Sequence, residues 1–447
     1  RLRMEKLTWK KRGIAAGCYV LCLTAWLLAF YRYDIKYTLA GIDDDVFWWS
    51  LEGSYQDFGY ATSTAILAKS MIIEKPAGYS VSEAARIGET VSYESTPVSE
   101  TTPENLIVIM NESLSDMRVI RDFQTNQEYF PFISSLTDNT IRGNLYVQVF
   151  GGGTSNTEYE VLTGHSMALL PYVISAYQAY CRPEEYGMAS TLKAQGYTAV
   201  AMHPNISGNW NRKNVYQYMG FDEFISSGGF QEAERLRNYV SDLGDYQRLI
   251  ERYEEKEPGE KLFVFNVTMQ NHSPYTDGYQ NLQGNVTVDG TVSAQLSEYL
   301  TLVKLSDAAL EKLIDYFETQ DEPTVIVFFG DHQPTDAVVE PIWNLEGKSS
   351  SDLTEEENQL RYKVPYVIWA NYDIDEAVNQ ESSANYLGAQ MMEAAGIPLS
   401  DYQNYLLEQK KEMPLISTQH TEAEGSDAWL NYQTLQYYLL FDWDGEK

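Results

Sequence analysis

A divalent cation poised for phosphoryl chemistry needs carboxylates and imidazoles brought to one point. The chain carries such residues where apolar runs end. "VIVFFGDHQP" delivers Asp331 and His332 just past a strand-like run, and "NLIVIMNES" delivers Asn111 and Glu112 in the same way. Together they offer three hard ligands and leave a coordination position open. "FGGGTSNTEYEVLTGHS", residues 150–166, runs three glycines into Thr154 and then into a helix-like segment. A nucleotide P-loop would need Lys followed by Ser or Thr after the last glycine, and Thr154 stands there instead. A threonine at a helix N-terminus, coordinated by a cation, could ionise and attack phosphorus. Each motif has a plainer reading when taken singly. Asp-His can be a turn with a bonded imidazole, Glu112 a helix-start acid favoured by the dipole, and Thr154 a cap. Their recurrence at successive run ends favours chemistry.

Two further stretches add polar groups. "AMHPNISGNWNRKNVYQYMGFDEF" supplies His203, Trp210 and Arg212. An arginine can grip a phosphate through paired hydrogen bonds, and a tryptophan can shape the rest of a pocket. A surface arginine and a core tryptophan are the alternative. "TMQNHSPY" supplies Asn271 and His272, the latter able to bond a phosphate oxygen or protonate a leaving alkoxide. His165, inside the helix after Thr154, and His420, in a polar tail, read as structural or solvated.

These residues need elements to hold them. Apolar, β-branched runs recur at 105–110, 197–202, 262–269, 324–330 and 364–370. Helical stretches lie between them, notably 297–320, where Leu302, Leu305, Leu310, Ile314 and Phe317 keep mostly to one face. Near-continuous apolar strands alternating with amphipathic helices predict an α/β fold with a mainly parallel central sheet flanked by helices. Ligands in such sheets bind beyond the carboxyl ends of the strands, where the candidates stand.

The chain has 447 residues, 44% of them apolar, enough for a substantial core. Its net charge of −32 argues against a nucleic-acid partner and against unaided approach to an anionic membrane. Cys18, Cys22 and Cys181 do not pattern as a disulfide framework. "RLRMEKLTWKKR" carries six basic residues and one acid, and the uncharged run Gly13–Tyr31 follows it. That pairing predicts a transmembrane helix with its basic side cytoplasmic and the rest of the chain extracellular. Because it begins at Arg1, the chain is expected to be a fragment whose span is the last of a longer membrane region. The expected organisation is a basic stub over 1–12, a span over 13–31, and an interfacial helix with linker over 32–102. Trp48 and Trp49 suit that interface. A catalytic domain over 103–371 and a C-terminal subdomain over 372–447 complete the layout, and no chemistry is assigned to the latter.

Taken in order, "NLIVIMNES", "GGGTSNTEYEVLTG", "MHPNISGNWNR…YMGFDEF", "TMQNHSPY" and "FFGDHQP" resemble the lipoteichoic acid synthase family of the alkaline phosphatase and sulfatase superfamily. The resemblance implies a sulfatase-like sandwich preceded by a membrane anchor. It implies that Thr154 is the nucleophile and that Glu112, Thr154, Asp331 and His332 hold a divalent cation, typically manganese, with magnesium or another ion as alternatives. It implies that His203, Trp210, Arg212 and His272 line a glycerol-phosphate pocket, with Arg212 and His272 also assisting catalysis. The substrate would be phosphatidylglycerol and the acceptor a polyglycerolphosphate or glycolipid, with diacylglycerol released. Two positions depart from the pattern: Gly153, where several relatives carry Lys, and Asn205, where they carry an acid. A phosphoethanolamine transferase or phosphodiesterase of the same superfamily, or an inactive surface-binding protein, are the competing readings. Sulfatase activity itself would need a Cys or Ser in a C/S-x-P-x-R motif, which "CRPEE" at Cys181 does not supply.

Overall fold

The computed structural model describes residues 8–32, 51–70, 72–89, 101–171, 175–183, 185–276, 278, 281–417 and 423–443. Trp48, Trp49, most of the expected linker between 90 and 102, and His420 lie outside the described residues. The chain divides into two compact units, Arg1–Ile73 and Glu74–Lys447. In the first, helix α1 (Trp9–Arg32) contains the expected span. Among the described residues one helical stretch, Trp9–Leu28, is long and apolar enough to cross a membrane.

The second unit begins before the expected boundary. Helix α2 (Val81–Glu89) lies in the stretch read as linker, yet its Ala84 and Ile87 are buried, and Ile87 joins a cluster with Tyr386, Tyr405 and Trp429. The polar composition of that segment concealed two inward-facing apolar positions three apart.

Among the described residues, eight strands form one sheet in the order β10-β2-β9-β8-β1-β7-β3-β4. They are β1 (Asn105–Asn111), β2 (Thr140–Tyr146), β3 (Tyr197–Met202), β4 (Glu223–Ile225), β7 (Lys261–Val267), β8 (Thr324–Gly330), β9 (Lys363–Ala370) and β10 (Ala377–Ser383). A separate two-stranded ribbon pairs β5 (Arg235–Leu236) with β6 (Tyr239–Val240). The five apolar runs become β1, β3, β7, β8 and β9, as expected. In the eight-stranded sheet β9 runs antiparallel to both neighbours, while the other pairings of that sheet are parallel. Strand direction leaves no trace in an apolar run. β2 and β10 escape a hydrophobicity reading because "TIRGNLY" is broken by Arg142 and Gly143, and β10 exposes "NQE" at the sheet edge.

The helices follow from periodicity and caps. Helix α3 (Thr154–Thr163) and helix α4 (Asp242–Glu254) flank the sheet, the latter capped by Ser241. Helix α5 (Ala294–Glu318) is capped by Ser293, which accepts from the Leu296 amide at 3.2 Å. Leu302, Leu310, Ile314 and Phe317 pack into one core with Ile107, Val264 and Ile326, whereas Leu305 stands 39% exposed. The C-terminal helices α6 (Ala384–Ala394), α7 (Asp401–Glu412) and α8 (Asp427–Tyr437) grip the far end of α3. Tyr402 and Tyr432 both donate to the Gly164 carbonyl, at 3.1 and 2.5 Å. His165 is structural, as read: Tyr159 bonds its Nδ1 at 2.7 Å, and burial pushes the imidazole down to about 3.

Two expected outcomes test this frame. At Gly330 an added Cβ would lie 2.0 Å from the Leu114 carbonyl oxygen, a backbone atom that cannot step aside. Gly330→Ala should therefore destabilise the protein by about 3 kcal/mol, read from urea unfolding. On α3, burial lifts the Glu160 carboxyl from 4.5 to about 8, although Oε1 accepts from Met167 N at 2.8 Å. Between those two values the folded state keeps a proton that the unfolded chain releases, so stability falls as pH rises. Glu160→Gln should lose less stability than the parent from pH 5 to pH 8, and equal losses would place the effect elsewhere.

Candidate active site

Register builds the site. In the β1–β8 pair Asn111 lies opposite Gly330, so Glu112 and Asp331 leave the sheet side by side. Glu112, Asp331 and His332 are buried, and one ligand atom from each lies within 4.8 Å of the others. The His332 Nδ1 donates to its neighbour's carbonyl, Gln333 O, at 2.8 Å, which leaves Nε2 with its lone pair. Asp331 Oδ1 accepts from the amides of Ser113 (2.7 Å) and His332 (2.9 Å), while buried Oδ2 has no hydrogen-bond partner. Burial, then the adjacent Asp331 charge, pushes the Glu112 carboxyl well above its ordinary value. Two crowded carboxylates, an orphaned oxygen and an available imidazole nitrogen fit a hard divalent cation.

Ser113 is the residue that sequence reading missed. It adopts φ 52°, a left-handed conformation unusual outside glycine. Three bonds over-determine it: its amide to Asp331, its Oγ to Glu112 Oε1 at 2.9 Å, and its carbonyl from Tyr299 OH at 2.8 Å. Below it runs a buried polar network, also missed. Asn111 donates to Asp242 Oδ2 at 2.7 Å, Asn271 donates to Asn111 at 2.9 Å, and Ser306 donates to Asp242 Oδ2 at 2.6 Å. Asn111 and Asn271, noted as strand-end candidates, thus support the cradle from beneath. The pattern has no local signature, because its partners stand far apart in the chain.

The glycine loop is tied to the same strand end. Gly151 N donates to Gln333 O at 3.0 Å, and Thr157 Oγ1 donates to Asp331 O at 2.8 Å. Thr154 opens α3 between these two anchors and is buried, 7% exposed. Gly153 caps the helix at φ 90°, where a side chain is disfavoured by about 1–2 kcal/mol. That backbone gives a local reason for glycine at a position where relatives were expected to carry lysine.

Arg212 and His203 arrive already bonded. The Arg212 guanidinium is buried, with Nε on Glu158 at 3.0 Å and Nη2 on the same carboxylate. Its Nη1 donates to His203 Nε2 at 3.1 Å, while His203 Nδ1 donates to Val267 O at 2.9 Å. Burial first, then Arg212, hold His203 well below its ordinary pKa, so it is a neutral relay. What Arg212 can offer a ligand is the remaining N–H bonds of its terminal nitrogens. Trp210 is half-buried on the same loop, and it and Asn211 are both left-handed, at φ 55° and 64°. His272 follows β7, half-buried, with Nδ1 bonded to Ser273 O at 2.6 Å. Asn205, the other departure, accepts from the Ile206 amide at 2.8 Å on the loop leaving β3.

Compared with known families, residues 104–397 match the sulfatase family model. The chain belongs to the sulfatase family. The fold matches a solved Streptococcus pyogenes phosphoglycerol transferase, GacH, described in complex with sn-glycerol-1-phosphate. There the TM-score is 0.68 at 22% identity over 82% of this chain and 95% of that one. It also matches the lipoteichoic acid synthase LtaP from Listeria monocytogenes, with a TM-score of 0.56 at 20% identity over 72% and 81% of the two chains. A curated relative, the putative cyclic beta-1,2-glucan modification protein of Rhizobium meliloti (strain 1021), is 29% identical over 80% of this chain and 56% of its own length. The chain spans about half the length of the curated relatives it matches. The family resemblance and the fold class expected from the motifs are borne out. Within this sulfatase-family chain Cys181 is half-buried, and burial pushes its thiol well above the ordinary value, so it lacks a ready thiolate.

Ser113→Ala removes the hydroxyl that orients Glu112 while leaving every ligand in place. It should weaken divalent-cation binding by about 10–100-fold in calorimetry with the fold intact. Unchanged affinity would remove Ser113 Oγ from the account of the cradle.

Proposed function

We propose that this sulfatase-family protein transfers glycerol phosphate from phosphatidylglycerol through a covalent intermediate on Thr154. The observation that carries the reading is the convergence of Glu112, Asp331 and His332 within 4.8 Å at the strand edge to which the Thr154 loop is bonded. A divalent cation held by those residues and Thr154, manganese in this reading or magnesium in its place, would neutralise phosphoryl charge and acidify the Thr154 hydroxyl.

The chain's own groups supply the rest. Thr154 Oγ forms the new bond to phosphorus, and the phosphorus–oxygen bond to diacylglycerol breaks. The N-terminus of α3 favours the negative charge that gathers there. The proton lost by Thr154 passes to His272 Nε2, which gives it to the departing alkoxide and takes one from the incoming acceptor hydroxyl. That hydroxyl then displaces Thr154, which leaves with its oxygen and regains a proton. Arg212, oriented by Glu158, turns its unused N–H bonds to the phosphoryl oxygens, and His203 fixes that orientation. Trp210 borders the glycerol end of the pocket.

The acceptor in this reading is the terminal hydroxyl of a polyglycerolphosphate or a glycolipid, as in lipoteichoic acid synthesis. A glucan hydroxyl is the second reading, favoured by the relative described as a glucan modification protein. The apolar helix α1 supports a membrane anchor with the catalytic unit outside the cell. An anchor of that kind would hold a chain of charge −32 against an anionic bilayer that otherwise repels it.

Incubation with phosphatidylglycerol and manganese should place a glycerophosphate adduct on Thr154, detected by peptide mass spectrometry, with diacylglycerol released. Thr154→Ala should abolish the adduct and lower turnover by more than about 10³-fold. An ethanolamine-phosphate adduct from phosphatidylethanolamine would move the chain to the rival transferase class. No adduct from either lipid would end the transferase reading.

A further inference from the structure

The β5–β6 ribbon lies outside the cradle, yet its side chains converge on the loop that carries His272. Arg237, in the turn of the ribbon, is 4% exposed. The other buried arginines pair with carboxylates: Arg212 with Glu158, and Arg252 with Glu223 and Glu260. Arg237 spends its guanidinium on backbone instead. Nη1 donates to Pro274 O at 2.7 Å, and Nη2 donates to Gln270 O at 2.6 Å and His272 O at 2.8 Å. Three carbonyls spaced over residues 270–274 are thereby held on one planar fork, a geometry that lysine cannot reproduce.

Arg237 is itself held in place. Its backbone is left-handed, φ 56°, and its amide donates to Asn281 Oδ1 at 3.0 Å. Tyr239, whose ring lies 5.2 Å below the guanidinium carbon, completes the bracket. The Tyr239 hydroxyl donates to Ser273 O at 3.0 Å and stands 3.2 Å from His272 Nδ1, and the two rings lie 5.4 Å apart. Because Nδ1 also donates to Ser273 O, the imidazole is held as the tautomer with hydrogen on Nδ1. Nε2 then keeps the lone pair and has no protein partner among the described residues.

We infer that the β5–β6 ribbon is a positioning device for His272, in which Arg237 sets the path of loop 270–274 and Tyr239 holds the imidazole's orientation and tautomer. The inference rests on the role given to His272 in the proposed transfer. In that role Nε2 must exchange a proton with an oxygen of the substrate, and a misplacement of about 1 Å costs about 10²-fold in rate. Neither residue touches the phosphoryl group. Both act through His272.

The test uses the full chain with ¹⁵N-labelled histidine, without added metal, and assigns the His272 signals by their loss in His272→Gln. The parent protein should show one His272 tautomer, protonated on Nδ1. Arg237→Lys and Tyr239→Phe should each show mixed tautomers. In glycerophosphate transfer, kcat should fall by about 10²-fold in Arg237→Lys with KM within twofold. Methylguanidinium should restore part of the rate to Arg237→Ala. The inference is overturned if Tyr239→Phe, folded as judged by its melting curve, keeps the parent tautomer and the parent kcat. It is equally overturned if Arg237→Lys loses stability while its His272 signals stay unchanged. If the parent transfers nothing, the proposed function fails separately, since the nitrogen signals are read on resting protein and still decide whether the bracket holds the ring.

Discussion

The pairing of Asn111 with Gly330 places two carboxylates where they repel. At an effective dielectric of about 20, two unit charges within 4.8 Å of each other would cost about 3–4 kcal/mol, and Glu112 and Asp331 are both buried. Much of the surrounding structure answers that repulsion. Ser113 turns into a left-handed conformation so that its amide and hydroxyl reach both carboxylates. Tyr299 pins the turn, and the Asp242 network fixes the asparagine beneath it. A cation is the group that would satisfy the site most fully, and the arrangement is paid for by a core of buried strands and helix α5 on which it stands.

The parts legible in the sequence are those whose signal is local. β1, β3, β7 and β8 are nearly continuous apolar runs, and the polar residues after each run had to emerge at the sheet edge. That argument located Glu112, His203, His272, Asp331 and His332 without a structure. It failed where the determinant is a relation between distant segments. The direction of β9 depends on how the chain returns from β8, and the polar edge strand β10 exists because β2 offers it a partner. Arg212 looked like a free phosphate ligand because nothing local shows that Glu158, one turn into α3, faces it. Ser113 is an ordinary serine in sequence, and its φ is imposed by Asp331 and Tyr299.

The site divides into two halves with different mechanical character. The cradle rests on the adjacent strands β1 and β8, and the Thr154 loop is bonded to the end of β8. The groups read as substrate ligands hang on loops beyond β3 and β7, linked by the bond from His203 to Val267 O. Charge is handled differently in each half. Around the cradle the carboxylates are left under-compensated, whereas beyond it Glu158 pairs with Arg212, and burial with the Arg212 charge keeps His203 uncharged. An anion approaching the site therefore meets a basic group already oriented, and one that needs little further ordering.

The hydroxyls of Tyr402 and Tyr432 on the Gly164 carbonyl have a consequence for the life of the chain. Ribosomes build proteins from the amino end, and 268 residues separate Gly164 from Tyr432. One fastening of the helix that Thr154 opens thus emerges long after the helix itself. A nascent chain possesses its carboxylates and its threonine before that helix is secured by α7 and α8, so a product lacking those two helices would have the chemical groups without the clamp that steadies them.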